Sequence, residues 1–95
     1  MSPQTIQPAG WKALGYQQIT SLSSAAALTV PAGALCALIV CETQAVRWAC
    51  SGDTLSATVG MPLAIGFELW YRGNLDKLRF IEQAASAKLN IAYYR

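Results

Sequence analysis

The chain has no histidine and little charge: its 95 residues include seven Lys and Arg, five Asp and Glu and no His. Without histidine, the commonest general base and metal ligand of enzymes is missing. The acidic residues are dispersed, so they form no carboxylate pair, and neither a Gly-rich phosphate loop nor its lysine is present. The sequence therefore predicts a protein that is not an enzyme and that holds no metal and no cofactor.

Charged residues make up 13% of the chain and hydrophobic residues 54%, whereas typical soluble domains carry about 25% charged residues. A chain of this length supports one small core, and so few charged side chains cannot cover the surface that remains. We expect another protein subunit or a membrane to cover the surplus apolar surface. The bases are scattered along the chain, which argues against nucleic-acid binding.

Residues 13–41 carry no charge and are the candidate membrane segment. Their most apolar part, 25–41, has only the minimum length of about 17 residues for a spanning helix and contains Pro31 and Gly33. Residues 1–10 also lack the basic residues of a secretory signal. An odd number of cysteines without histidine fits neither a disulfide framework nor a zinc site. We therefore predict reduced thiols, a cytosolic setting and no membrane association.

The first 24 residues are rich in Gln, Ser and Pro and almost free of charge. This composition predicts an extended N-terminal arm over residues 1–24, followed by a single β domain over residues 25–95. Trp11 and Tyr16 are large aromatics for such an arm, so we expect them to dock on its own domain or on a neighbouring protein. A frayed terminus is equally compatible with the composition.

Residues 36–41 and 45–50 alternate with a period of two. The even-numbered positions are apolar and mostly large, whereas the odd-numbered positions are smaller and include Arg47. The pattern predicts a hairpin with its even-numbered face inward, closed by a loop over 42–44 that lacks the preferred glycine. The predicted cross-strand pairs are Val40 with Val46, Leu38 with Trp48 and Cys36 with Cys50.

Residues 65–71, 78–82 and 88–94 alternate in the same way and are separated by turn-forming residues. Such short, regularly spaced segments predict an all-β fold, a small antiparallel β-sandwich or barrel of six to eight short strands with the extended N-terminal arm. A short helix over 81–89 fits the alanine content but lacks an apolar stripe. The predicted core residues are Leu38, Val40, Val46, Trp48, Phe67, Phe80, Leu89 and Ile91.

Four side chains are predicted at protein interfaces: Trp11, Tyr16, Arg47 and Trp70. Arg47 lies on the small-residue face of its predicted strand. It could pair there with a carboxylate of a partner or simply face solvent.

Four sequence segments carry a resemblance to a known group of proteins: residues 44–48 (QAVRW), 57–63 (ATVGMPL), 79–82 (RFIE) and 87–94 (AKLNIAYY). They resemble small virion structural proteins of tailed bacteriophages, over roughly residues 25–95. The resemblance implies a short all-β capsid decoration or cement protein that binds the outside of the head shell. It further implies the major capsid protein as partner, a homo-oligomer, and a place on the capsid surface of the virion after assembly in the host cytoplasm. Residues 49–52 carry less charge than the same loop in that group, which leaves open whether this tip contacts the same partner.

The leading hypothesis is therefore a capsid-associated structural protein that clamps neighbouring shell subunits and stabilises the head. A head-to-tail adaptor or tail component is one alternative. A receptor- or carbohydrate-binding module is another, because Trp11, Trp70 and Tyr71 could stack on sugars.

Overall fold

Short alternating segments of this chain pair into two antiparallel sheets that pack face to face. The computed structural model describes residues 11–51 and 54–95. The strands are β1 (Ala13–Ile19), β2 (Ala26–Ala27), β3 (Cys36–Glu42), β4 (Val46–Ala49), β5 (Met61–Leu63), β6 (Glu68–Arg72), β7 (Arg79–Glu82) and β8 (Lys88–Tyr94). Sheet A has the order β1-β8-β3-β6 and sheet B the order β2-β7-β4-β5. The predicted all-β sandwich is confirmed.

The core lies between the two sheets and is built almost entirely from apolar side chains. Sheet A contributes Ala37, Ile39 and Cys41 of β3 and alternate residues of β8, while β4 and β7 contribute from sheet B. The largest fully buried side chains are Tyr93, Phe80, Leu22, Ile39, Leu78, Leu89, Ile91, Val46 and Cys41. Four of the predicted core residues, Val46, Phe80, Leu89 and Ile91, are among them.

The predicted hairpin between β3 and β4 is wrong. β3 pairs with β6 and β8 in sheet A, whereas β4 pairs with β5 and β7 in sheet B. The chain crosses between the sheets at Thr43, whose φ of 68° lies in the left-handed region. Alternation identifies residues that share a face, but it does not identify the strand that pairs with them. Here the partners come from distant parts of the chain.

The predicted inner face of β3 is also wrong. Its odd-numbered residues are buried, whereas Leu38 and Val40 are half-buried on the outer face of sheet A. The small Ala37 fits the core because it lies between Tyr71 and Tyr93 in the register, and these rings fill the space.

Two other predicted core residues lie elsewhere. The Phe67 side chain is 68% exposed, because it precedes β6 in a turn instead of lying within a strand. Trp48 is half-buried and packs edge-on against Tyr71, with 6.0 Å between ring centroids. It therefore borders the core without being enclosed by it.

Residues 11–24, predicted as part of the arm, belong to the sandwich. β1 pairs along β8, with a register shift between Ala13 and Gly15. Leu22 is 1% exposed, and its carbonyl oxygen accepts a hydrogen bond from the Glu82 N–H at 2.9 Å. The remainder of the predicted arm, residues 1–10, lies outside the described residues.

The 81–89 segment does not form the alternative helix, since β7 and β8 occupy its two ends. The described residues include one helical turn, a 3₁₀ helix over Leu75–Lys77. Within residues 11–51 and 54–95, no helix has the length and apolarity required to span a bilayer.

Candidate protein-interaction surface

The outer face of sheet A is lined with apolar side chains from neighbouring strands. In the register of β3, Leu38 lies between Trp70 of β6 and Ala92 of β8, and Cys36 has Tyr94 of β8 as a neighbour. Residues directly opposite one another share a face, so these side chains lie side by side on the outer face, with Cys36 itself only 3% exposed. We call the residues Trp11, Cys36, Leu38, Val40, Trp70, Ala92 and Tyr94 the outer apolar face.

An aromatic cluster forms one end of the outer apolar face. The ring centroids of Trp11, Trp70 and Tyr94 lie 5.6–6.3 Å apart, within the usual range for aromatic pairs. The Arg72 guanidinium lies 5.7 Å from the centroid of the Trp11 ring, a cation–π arrangement. Mutual backbone hydrogen bonds of 2.8 and 2.9 Å between Lys12 and Arg95 hold Trp11 in place.

Trp11 and Trp70, two of the predicted interface residues, are thus brought together. Trp11 contacts its own domain, which is one of the two docking partners expected for it. The Trp70 indole Nε1 is buried and has no hydrogen-bond partner among the described residues. Its contribution to this surface therefore comes from the apolar area of the ring.

The opposite end of the same sheet face is polar and centred on Asn90. The Tyr16 hydroxyl and the Gln18 amide, at 3.0 Å, both donate to Asn90 Oδ1. The Asn90 amide in turn donates to Glu42 Oε1 at 2.8 Å. Tyr16 is 66% exposed, so this predicted interface residue presents most of its ring to the surroundings.

Arg47 has a structural role in this fold. Its guanidinium Nη1 donates to the Gly60 carbonyl at 2.8 Å, and its Nε donates to the Ala57 carbonyl at 3.3 Å. The side chain is half-buried on the outer face of sheet B. Its guanidinium therefore holds the 57–60 loop. Its place at a protein interface stays a prediction.

Further apolar side chains are exposed around β5 and the turns that flank it. Among the large hydrophobic residues there, Val59, Met61, Ile65 and Phe67 are more than half exposed. A cleft of about 460 Å³ lies at the Met61 end of β5. Its lining consists of Trp48, Ala49, Thr54, Leu55, Val59, Gly60 and Met61.

The sequence did not single out Leu38, Val40 and Tyr94 as interface residues, nor the exposed group around β5. The available signal was that both faces of β3 are apolar, which is unusual for a strand with one solvated face. A strand with two apolar faces needs a cover on each side.

The three cysteines are free thiols, and the predicted neighbours Cys36 and Cys50 lie in different surroundings. Cys36 and Cys41 are buried, whereas Cys50 is exposed. Burial raises the pKa of both buried thiols, although Arg72 partly offsets this rise for Cys36. Cys41 also donates from Sγ to the Leu63 carbonyl at 3.4 Å. A raised pKa keeps the two buried thiols protonated and unreactive near neutral pH.

Two tyrosines of the inner face also have raised pKa values. A hydrogen bond with Cys50 is the main cause for Tyr71, and burial adds to it. Burial raises the pKa of Tyr93 to about 12. The Tyr93 hydroxyl donates to Gln17 Oε1 at 2.7 Å, which satisfies its proton within the sandwich.

The aromatic residues considered for sugar stacking do not form one platform. Trp70 and Tyr71 are consecutive in β6 and point to opposite faces of the sheet. Tyr71 packs against Trp48 on the inner side, while Trp70 packs against Trp11 on the outer side. Across residues 11–51 and 54–95, no group of three or more Cys, Asp or Glu side chains is placed to hold a metal ion.

Comparisons of the chain with protein-family models, with curated protein sequences and with solved structures find no significant match. The resemblance to small phage virion proteins therefore remains a prediction.

Proposed function

We propose that this chain is a structural protein of a bacteriophage virion, a capsid decoration or cement protein that binds the major capsid protein on the head surface. The outer apolar face of sheet A carries the proposal. Leu38, Val40 and the aromatic cluster lie there on strands whose inner sides already complete the core. These side chains are therefore not needed to close the fold, and contact with another protein would remove them from water.

The composition supports the same proposal. Obligate interfaces are more apolar than transient ones, and their centres are enriched in Trp, Tyr and Arg. The aromatic cluster with Arg72 has this composition, and Asn90 with its hydrogen-bonded neighbours supplies a polar rim. The resemblance of residues 44–48 and 57–63 to phage virion proteins adds the class of partner.

The mechanism of such a protein is selective binding. A protein that binds the assembled shell and not its separated subunits stabilises the assembly by mass action. A decoration protein seated across neighbouring subunits would thus raise the resistance of the filled head to internal pressure and heat.

The experiment compares phage particles assembled with the wild-type chain, without it, and with Leu38→Glu. Leu38→Glu places a charge at the centre of the outer apolar face, so we expect loss of binding to the shell. Particles lacking the bound chain should lose integrity at a lower temperature and under milder osmotic shock. Val59→Glu makes the same chemical change at another exposed apolar position and should bind like the wild type.

Unchanged thermal and osmotic tolerance without the protein would contradict the cement role. The copy number in the particle separates the alternatives, because a decoration protein covers the shell whereas a head-to-tail adaptor forms a single ring. Absence of the chain from purified particles would contradict the proposal as a whole.

A further inference from the structure

The edge of sheet A formed by β6 differs from the other three sheet edges. β2 has two residues, and β5 has three, with Pro62 at its centre. β1 contains a register shift, and its Gln17 side chain bonds both the N–H and the hydroxyl of Thr29. Short strands, proline and bulges are the usual means of protecting an edge from pairing with another strand. β6 pairs continuously with β3 over five residues and has none of these features. Charged side chains also protect edges, and Glu68 and Arg72 are the two that β6 carries.

The hydrogen-bond phase shows which backbone groups of β6 point outward. The carbonyl of Leu35, just before β3, accepts from the N–H of Gly73 at 3.2 Å, and the carbonyl of Cys41, near the end of β3, accepts from the N–H of Gly66 at 3.3 Å. Odd-numbered residues of β3 therefore direct their backbone groups toward β6. Their partners in the register are also odd-numbered, Leu69 and Tyr71. Because alternate residues point to opposite sides in an antiparallel ladder, the N–H and C=O groups of the even-numbered residues of β6 point away from β3.

The sequence of β6, Glu-Leu-Trp-Tyr-Arg, is complementary in charge to its own reverse. When two copies run antiparallel about Trp70, Glu68 of each copy lies opposite Arg72 of the other. Of the five opposed positions, the three that involve residues 68, 70 and 72 pair the even-numbered residues, which direct their backbone groups outward. Trp70 of one copy would exchange two backbone hydrogen bonds with Trp70 of the other. The backbone phase permits this register, and the charges of Glu68 and Arg72 distinguish it from the others that the phase permits.

This register also gives the exposed Phe67 side chain a place in the interface. The position opposite Phe67 is Gly73 of the second copy, and a glycine leaves room for a large ring across the strands. Phe67 is the most exposed of the large hydrophobic side chains among the described residues. Pairing through β6 would cover it.

We infer that β6 is the interface between two copies of this chain, which pair antiparallel about a two-fold axis through Trp70 and join their A sheets into one. Such a contact is isologous, as in most homodimers, since the same residues contribute from both copies. The two outer apolar faces would then lie side by side on a single sheet. The inference goes beyond the proposed function and does not depend on the identity of the shell protein.

Charge reversal in the full-length chain tests the inference by sedimentation equilibrium. Arg72→Glu places two glutamates opposite each other at both ends of the interface, and Glu68→Arg places two arginines there. Either variant should raise the dimer dissociation constant about tenfold or more, because like charges replace opposite ones in two symmetric pairs. The double variant Glu68→Arg/Arg72→Glu restores opposite charges and should recover the dimer. Lys77→Glu changes the net charge as Arg72→Glu does but lies in the 3₁₀ helix, so it should dimerise like the wild type.

Amide hydrogen exchange provides a second readout that does not depend on charge. The Trp70 amide should exchange more slowly as protein concentration rises, and Arg72→Glu should remove this dependence. A wild-type chain that stays monomeric at every concentration would overturn the inference. A dimer that both single variants leave unchanged, or that the double variant fails to restore, would also overturn it.

These results are separate from those that test the proposed function. A β6 dimer that does not bind phage heads contradicts the cement role alone. A monomer that binds heads contradicts the β6 interface alone.

Discussion

The outer faces of the two sheets are built differently. On sheet B, Arg47 holds the 57–60 loop through two carbonyl groups, so the chain covers part of this face itself. On sheet A, Leu38, Val40 and the aromatic rings form the surface directly. The difference indicates which side of the sandwich is completed by its own loops and which side is suited to a partner. Variants at matched positions on the two sheets can test this difference.

The largest expected loss of stability comes from the buried side of β3 and distinguishes it from the outer side. Ile39 is fully buried and Leu38 half-buried on the opposite face, so Ile39→Ala should lower the free energy of unfolding by about 2–5 kcal/mol. Leu38→Ala removes fewer enclosed contacts and should cost clearly less. Urea denaturation of both variants measures the difference. Equal losses, or a larger loss for Leu38→Ala, would place the core on the other face of β3.

The next largest loss of stability is expected in the 57–60 loop on sheet B. Gly60 has a φ of +137°, and an added Cβ would lie 2.6 Å from Leu55 Cδ2 and 3.1 Å from Arg47 Cβ. Gly60→Ala should therefore destabilise the fold by about 1–3 kcal/mol through backbone strain and crowding. Gly66 also has a positive φ, but an added Cβ there meets nothing within 4 Å. Gly66→Ala should cost less, and thermal unfolding that ranks the two in the reverse order would contradict the described packing.

Replacing Arg47 should lower the free energy of unfolding by a similar or somewhat smaller amount. Arg47→Met keeps much of the aliphatic stem but removes the donors to Ala57 and Gly60, which leaves two carbonyls without these bonds. Hydrogen bonds to charged groups contribute about 1.5–3 kcal/mol, and partial exposure reduces this to about 1–2 kcal/mol here. Chemical denaturation gives the stability. If binding to phage heads fell while stability stayed unchanged, Arg47 would instead be an interface residue, as the sequence first suggested.

The smallest expected effect near neutral pH comes from the buried tyrosine of the inner face. The pKa of Tyr93 is raised to about 12 in the folded chain, above its ordinary value of 10.0. The folded state therefore holds this proton more tightly than the unfolded state, so the contribution is complete below about pH 10 and is lost as pH rises toward 12. The raised pKa values of Cys36, Cys41 and Tyr71 act in the same direction.

Stability measured against pH should consequently be flat near neutrality and should fall in alkaline solution. Tyr93→Phe removes the ionisable group whose pKa is raised to about 12. The free energy of unfolding should then fall less steeply in alkaline solution, although the variant also loses the hydrogen bond to Gln17. An identical pH profile for the variant would show that Tyr93 is not buried as described.

The sequence was sufficient for the fold class and for the segments that form β4, β7 and β8. Alternation at 78–82 and 88–94 predicts β7, which begins one residue later at Arg79, and β8, and Phe80, Leu89 and Ile91 lie in the core. These segments have one clearly apolar face, so the pattern determines which side is buried.

The buried face of β3 could not be predicted in the same way, because both faces of this strand are apolar. The larger residues of the even-numbered face suggested the core, but the space around Ala37 is filled by Tyr71 and Tyr93, which follow much later in the chain. Local pattern gives no information about such distant neighbours. Phe67 was misplaced because alternation continues through the turn that precedes β6.

The candidate surface was predictable only in part. Trp11 and Trp70 stood out as large aromatics, but the cluster depends on β1 and β8 pairing near the two ends of the described chain. The position of Arg47 depends on a loop that returns to it ten and thirteen residues later. Both arrangements are products of tertiary structure.

The most direct test of the central proposal is cryo-electron microscopy of an intact phage particle that contains this chain. We expect density for the sandwich on the head surface, with Leu38, Val40 and Trp70 in contact with the major capsid protein. Density that shows this face turned toward solvent, with the loop side of sheet B against the shell, would contradict it.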